Sequence, residues 1–225
     1  MNSLSSQLDQ FSTVFYTDDY KEILEQYLNI KYSLTKRPEL MPIADSHKEF
    51  SLFDEESSII QTQTQFLLST HWKNVVNTGG VVIQTSKTPH QFLTRLRFSI
   101  EANPIHVFSV LYENDFAGDW MKTMKCSKTL EKFSPLRKKI QNFYKLPWPL
   151  THRHSILHTR YLPMPELRTI LVVVYTPKEH FASPVNDEKH IEMVIPSASV
   201  WLQCEDEKCE LNIILQANKY IVWDI

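Results

Sequence analysis

The run Gln91-Phe92-Leu93-Thr94-Arg95-Leu96-Arg97-Phe98-Ser99-Ile100-Glu101 repeats with a period of two. Phe92, Leu96, Phe98 and Ile100 share one side, and Arg95, Arg97 and Ser99 share the other. Successive side chains of a strand point to opposite faces, so this is a strand with one dry and one wet side. The same alternation returns in Lys139–Leu146, His152–Tyr161, His190–Ile195 and Cys209–Gln216. Thr169–Tyr175 is a continuous apolar run, long enough for a strand and too short for a helix. Linkers with turn chemistry separate these segments, among them Ser183-Pro184-Val185-Asn186-Asp187 and the stretch between Cys204 and Cys209. Connections this short demand antiparallel pairing. About seven or eight such strands in succession curl, and the dry-inside alternation predicts a sheet wrapped around an apolar cavity.

Upstream of residue 80 the period is that of a helix. Tyr20, Ile23, Leu24, Tyr27 and Leu28 form one stripe, with Asp18 placed to cap the first turn. Asp54-Glu55-Glu56-Ser57 reads as the exposed start of a second helix through Ile59, Ile60, Phe66 and Leu67 towards Trp72. Asn103-Pro104 caps and opens a third, striped by Ile105, Phe108 and Leu111. Helices first and then a strand-only stretch make an α+β pattern. The expected division is an acidic helical extension over residues 1–56 and one sheet-bearing domain over 57–225.

The 225 residues are 42% hydrophobic and 22% charged, as in globular chains. Three cysteines and no secretory start predict a reducing, cytoplasmic setting, where a disulfide between Cys204 and Cys209 is possible and unneeded. With only Gly79, Gly80 and Gly118, no glycine-rich phosphate loop can form. The net charge of −2 hides a pattern: five basic against eleven acidic residues over 1–60, but sixteen against seven over 61–180. Lys122, Lys125, Lys138 and Lys139 in that basic middle are expected to contact anionic membrane surfaces transiently. Nucleic acid is not an expected partner, because the aromatic residues do not lie between the basic ones.

Four strings resemble the START (StAR-related lipid transfer) family. Trp72 followed by Gly80-Val81-Val82-Ile83 is similar to its first strand, and Asp115-Phe116-Ala117-Gly118-Asp119-Trp120 to its R-x-x-W-D element. Leu146-Pro147-Trp148-Pro149-Leu150-Thr151-His152-Arg153-His154 resembles y-P-f-P-l-s-x-R-D, the most specific of the four. Tyr220–Ile225 sits where the family's last strand leads into its C-terminal helix. The resemblance covers residues 60–225 and implies a helix-grip fold whose tunnel holds a sterol, phospholipid or ceramide-like lipid. It departs in three places. His154 replaces the family's Asp, Thr159 holds the position of a second basic residue with Arg160 one place late, and the sequence stops where the C-terminal helix is expected, so that helix is apparently missing. One residue reverses the face of a strand, so Arg160 is expected to point away from the cavity.

Arg153 is the first candidate for the lipid head, since a guanidinium forks onto phosphate or carbonyl oxygens; an ion pair at the start of the strand is the competing reading. Trp120 and Trp148 are candidate contacts, with Trp72 more a core filler. Tyr144, Leu146, Ile156, Thr159, Phe98 and Ile100 are expected walls. His152, His154, His158 and Arg160 share a face, but they lack a carboxylate beside them and are expected to be exposed, with no metal held. Without a nucleophile elbow or paired carboxylates, the expected function is non-catalytic lipid binding by a monomer without a cofactor, serving transfer between membranes. The alternatives are a protein-interaction module or a cavity enzyme acting on a small hydrophobic substrate.

Overall fold

The computed structural model describes residues 3–68, 71–87, 92–147, 149, 151–178 and 190–217. Trp148, the Ser183–Asp187 linker and Tyr220–Ile225 lie outside them. Ten strands form one curved sheet: β1 (Lys73–Thr78), β2 (Val81–Lys87), β3 (Phe92–Ile100), β4 (Met124–Ser134), β5 (Arg137–Tyr144), β6 (His152–Met164), β7 (Thr169–Tyr175), β8 (His190–Glu192), β9 (Ser197–Cys204) and β10 (Cys209–Ala217). Their order is β1-β2-β3-β10-β9-β7-β6-β5-β4, antiparallel throughout, while β8 adds in parallel to the start of β6. The last hairpin, β9–β10, slots in beside β3 and joins the two halves of the sheet. The helices are α1 (Leu4–Phe15), α2 (Tyr20–Lys36), α3 (Met41–Asp45), α4 (Lys48–Leu68), α5 (Pro104–Tyr112) and α6 (Ala117–Trp120).

Strand parity gives the sheet two faces with different covers. The back face carries Leu171, Val173 and Tyr175 of β7, Ser197, Ser199 and Trp201 of β9, and His158 and Arg160 of β6. Helix α4 lies on it. Ile59 and Ile60 pack with Leu171, Val173 and Tyr175, while Gln63 hydrogen-bonds Ser197 and Ser199. On its other side α4 presents Phe50 and Phe53 to α1 and α2, where Phe11, Phe15, Ile23, Tyr27 and Ile30 complete a second core. Phe11 meets Phe50 and Phe53 edge-on there, at 6.0 and 5.8 Å.

A buried ionic chain ties this helical layer to the sheet. Arg137 forks onto Glu56 at 2.9 and 3.1 Å and donates to the Phe15 carbonyl at 2.9 Å. Arg160, 1% exposed, reaches Asp18 and lies 3.4 Å from Glu56. Asp18 therefore does not cap α2; Asp19 does, accepting from the Glu22 N–H at 3.1 Å. Asp18 sits at φ +64°, and its carboxylate accepts from Ser134 and from the Leu136 N–H. Its place in a turn between two helices is what tolerates that conformation.

Three expectations need correction here. The division between residues 56 and 57 falls inside α4, and Glu55 and Glu56 are buried under the sheet, not an exposed start. The whole of residues 3–56 is a packed layer with its own core, where an extension was expected. Strand β4 was read only as a basic segment, because register shifts at three places break its alternation against β5.

Candidate ligand-binding face

The front face is the other side of the same sheet. Phe98 and Ile100 of β3 oppose Leu211 and Cys209 of β10, with Leu96 against Ile213 beside them. Leu202 and Val200 of β9, then Val172 and Val174 of β7, continue the apolar floor. Leu96, Phe98, Ile100, Ile213, Val200 and Val174 are half-buried, and Leu215 is 41% exposed. Among the described residues, one end of this floor is packed over by α5: Val107, Phe108 and Leu111 sit on Phe98, Ile100, Leu202 and Leu211.

β5 and β6 form the adjoining wall. Its front-face pairs run Lys138–Thr159, Ile140–Leu157, Asn142–Ser155 and Tyr144–Arg153. Under the end of α5, Phe108, Tyr112 and Tyr161 form a ring cluster at 5.1–5.8 Å, and the Tyr161 hydroxyl donates to the Leu111 carbonyl. Lys138 is held in this cluster, its Nζ 3.5 Å over the Tyr112 ring and donating to the Tyr112 carbonyl at 3.0 Å. Burial lowers its pKa, since removing water penalises the ammonium. Burial likewise pushes the Tyr161 hydroxyl well above its ordinary value. Further along, Asn142 Nδ2 donates to the Tyr144 hydroxyl at 3.2 Å, which lies 3.4 Å from Ser155 Oγ. Asn142 Oδ1 and Thr159 Oγ1 are buried with no hydrogen-bond partner among the described residues. Arg153, half-buried, donates to the Thr151 carbonyl at 3.2 Å.

Phe98, Ile100, Tyr144, Arg153 and Thr159 thus share the front face. Ile156 does not: it pairs with Gln141 and shares the back face with His154 and His158. The assignment fails on parity, since an even-numbered residue of β6 cannot face the same way as Arg153. Leu146 follows β5, half-buried, its N–H donating to His152 Nδ1 at 3.3 Å. Trp120 ends α6 and is 48% exposed. Lys122 and Lys125 are exposed, and Lys139 lies on the back face. Lys138 cannot meet a membrane from inside its aromatic cluster. His154 and His158 are 4% and 7% exposed, contrary to expectation, because the ring of Phe143 packs on the first and those of Phe133 and Tyr175 on the second. No metal-holding group of three His, Cys, Asp or Glu side chains occurs among the described residues. Arg160 points to the back, as its one-residue displacement predicts. Asn142 and Ser155 were missed, although the parity that selects Tyr144 also selects Asn142.

No family model matches the sequence, and no curated protein does. Solved structures do match. Human STARD10 superposes with a TM-score of 0.64 at 13% identity, covering 75% of this chain and 69% of that one. Human StAR-related lipid transfer protein 5 gives 0.62 at 10% identity, over 76% of this chain and 83% of that one. The fold is that of the StAR-related lipid transfer domains. A STAR-related lipid transfer protein from Xanthomonas axonopodis agrees, with a TM-score of 0.56 at 16% identity over 66% and 81% of the two chains. At such identities the START likeness is one of backbone, and each side-chain role rests on this chain's own geometry. Among the described residues, no helix is long and apolar enough to cross a membrane.

Proposed function

We propose that this chain binds a lipid against the front face of its START-type sheet and carries it between membranes without chemical change. The observation that carries the reading is the half-exposed floor of Leu96, Phe98, Ile100, Ile213 and Leu215, which α5 packs over at one end among the described residues. Burying a lipid chain there gains about 0.8 kcal/mol per methylene. The START likeness supports the same reading, since the matched proteins are lipid transfer proteins by name. The strand positions of this face carry no carboxylate and no histidine among the described residues. Arg153, at the outer end of the β5–β6 wall, is the proposed contact for acceptor oxygens of the head.

The test is native mass spectrometry of the full chain after incubation with mixed-lipid vesicles. One lipid per protein is expected, and Leu215→Glu, which places a charge on the floor at an exposed position, should abolish retention. A wild-type protein that carries no lipid overturns the proposal in favour of an interaction module, and one that releases an altered lipid favours an enzyme.

Membrane contact is proposed for the exposed lysines on or just before edge strand β4, Lys122, Lys125, Lys128 and Lys132. Each basic residue held near an anionic bilayer contributes about 1 kcal/mol, a gain that salt screens. Co-sedimentation with anionic vesicles should therefore weaken steeply as salt rises. Binding that ignores salt would remove this surface from the proposal.

A further inference from the structure

The β5–β6 wall contains a hydrogen-bond acceptor with nothing to accept. Asn142 is 6% exposed; its Nδ2 donates to the Tyr144 hydroxyl at 3.2 Å, and that hydroxyl lies 3.4 Å from Ser155 Oγ. That leaves Oδ1 buried without a donor among the described residues. Two front-face rungs further, beyond the apolar Ile140–Leu157 pair, Thr159 is 3% exposed and its hydroxyl equally has no partner among the described residues. Buried polar atoms in folded proteins are nearly always paired, and an orphaned one calls for a partner. Both atoms belong to residues whose strand positions face the lipid floor.

We infer that the lipid held here is one whose head group donates a hydrogen bond, from a hydroxyl or an amide N–H, to Asn142 Oδ1. The inference rests on lipid binding at this face and narrows it to a class. A choline phospholipid offers only acceptors: its ester and phosphodiester oxygens carry no hydrogen, and its ammonium is fully methylated. Such a head would leave Oδ1 unsatisfied. A lone cationic head fits no better, because no carboxylate lies on the described strand positions of this face. A sterol, a ceramide or a diacylglycerol each brings the donor that is required. Thr159, able both to donate and to accept, suits a second hydroxyl or a carbonyl deeper along the wall.

The experiment compares lipids that differ only in that donor. Choline-phospholipid vesicles are doped with diacylglycerol and its O-methyl ether in equal amounts, and separately with cholesterol and cholesteryl methyl ether. The full chain is incubated with each, re-isolated, and its lipid identified by mass spectrometry. In at least one pair the free hydroxyl should be retained over its methyl ether by roughly tenfold, the factor an unmade buried hydrogen bond costs. Asn142→Leu should bring that ratio to about one while lipid is still retained. Equal retention of ether and alcohol by the wild type would assign Oδ1 to an ordered water and overturn the inference. Preferential retention of the choline phospholipid would overturn it as well. A protein that takes up no lipid at all fails earlier, at the proposed function, and takes this inference with it. The wild-type comparison decides even if Asn142→Leu does not fold.

Discussion

At the scale of single residues, two ion pairs of similar geometry have very different consequences. Glu56 is 3% exposed and serves two guanidiniums, Arg137 and Arg160. Glu56→Ala would leave the buried Arg137 without its carboxylate and Arg160 with Asp18 alone, and a loss of about 3–5 kcal/mol is expected in urea unfolding. Lys31 and Asp54 meet at 2.7 Å, but both side chains are about 40% exposed. Lys31→Ala should cost no more than about 1 kcal/mol, because water and salt already weaken that pair. A Glu56→Ala protein as stable as the wild type would show that the buried chain is replaceable. Arg153 is half-buried and donates to a main-chain carbonyl. Arg153→Ala should weaken lipid retention and leave the thermal midpoint nearly unchanged; a midpoint many degrees lower would assign Arg153 to shaping the start of β6. The oxygen of Asn142, by contrast, matters only through what it lacks.

Among the elements, α4 does the most to hold the layers together. Gln63, fully buried, clips β9 with both ends of its amide, at 2.7 Å to Ser197 Oγ and 2.7 Å to Ser199 Oγ. Gln63→Leu keeps the volume but leaves two hydroxyls short of a partner, so a loss of about 1–3 kcal/mol is expected by chemical denaturation. The Gln/Thr-rich composition that blurs α4 as an amphipathic helix in the sequence is thus the means by which it grips a serine-bearing strand. α6 shows another limit of pattern reading. It lies so close to β4 that a Cβ on Gly118 would come within 3.1 Å of the Lys125 carbonyl. β3, β6, β7 and β10 were legible because their alternation or apolar run is unbroken. β4 was not, because bulges at three places reset its parity and its exposed lysines imitate a surface loop.

For the molecule as a whole, the two cores set a window of pH stability. Burial holds the Tyr20 hydroxyl up to about 12, with Glu56 adding to the shift, and burial with the Glu49 hydrogen bond holds Tyr16 up to about 12. The native state keeps these protons when the unfolded chain, titrating near 10, has lost its own, so stability should fall between about pH 10 and 12. On the acid side, burial alone would raise Asp54 and Glu49. Hydrogen bonds from Lys31 and Tyr27 to Asp54, and from Tyr16 to Glu49, outweigh it and lower both. Their contribution is complete above about pH 5 and is lost as pH falls through the depressed native values, below about pH 4. Circular dichroism melts across pH should show a plateau between these limits, and a midpoint unchanged from pH 9 to 12 would contradict the tyrosine assignment. By itself the sequence determined the α+β class, most of the strands, and which side of β3 is dry, because alternation and helical periodicity are local and survive without coordinates. Only the tertiary structure decided that residues 3–56 cover the back of the sheet, that Lys138 is caged, that Ile156 faces away from the lipid floor, and that Asn142 has an acceptor to offer. Each of these depends on which distant segment lies opposite, and a side chain's partners are set by register and packing, which no local pattern records.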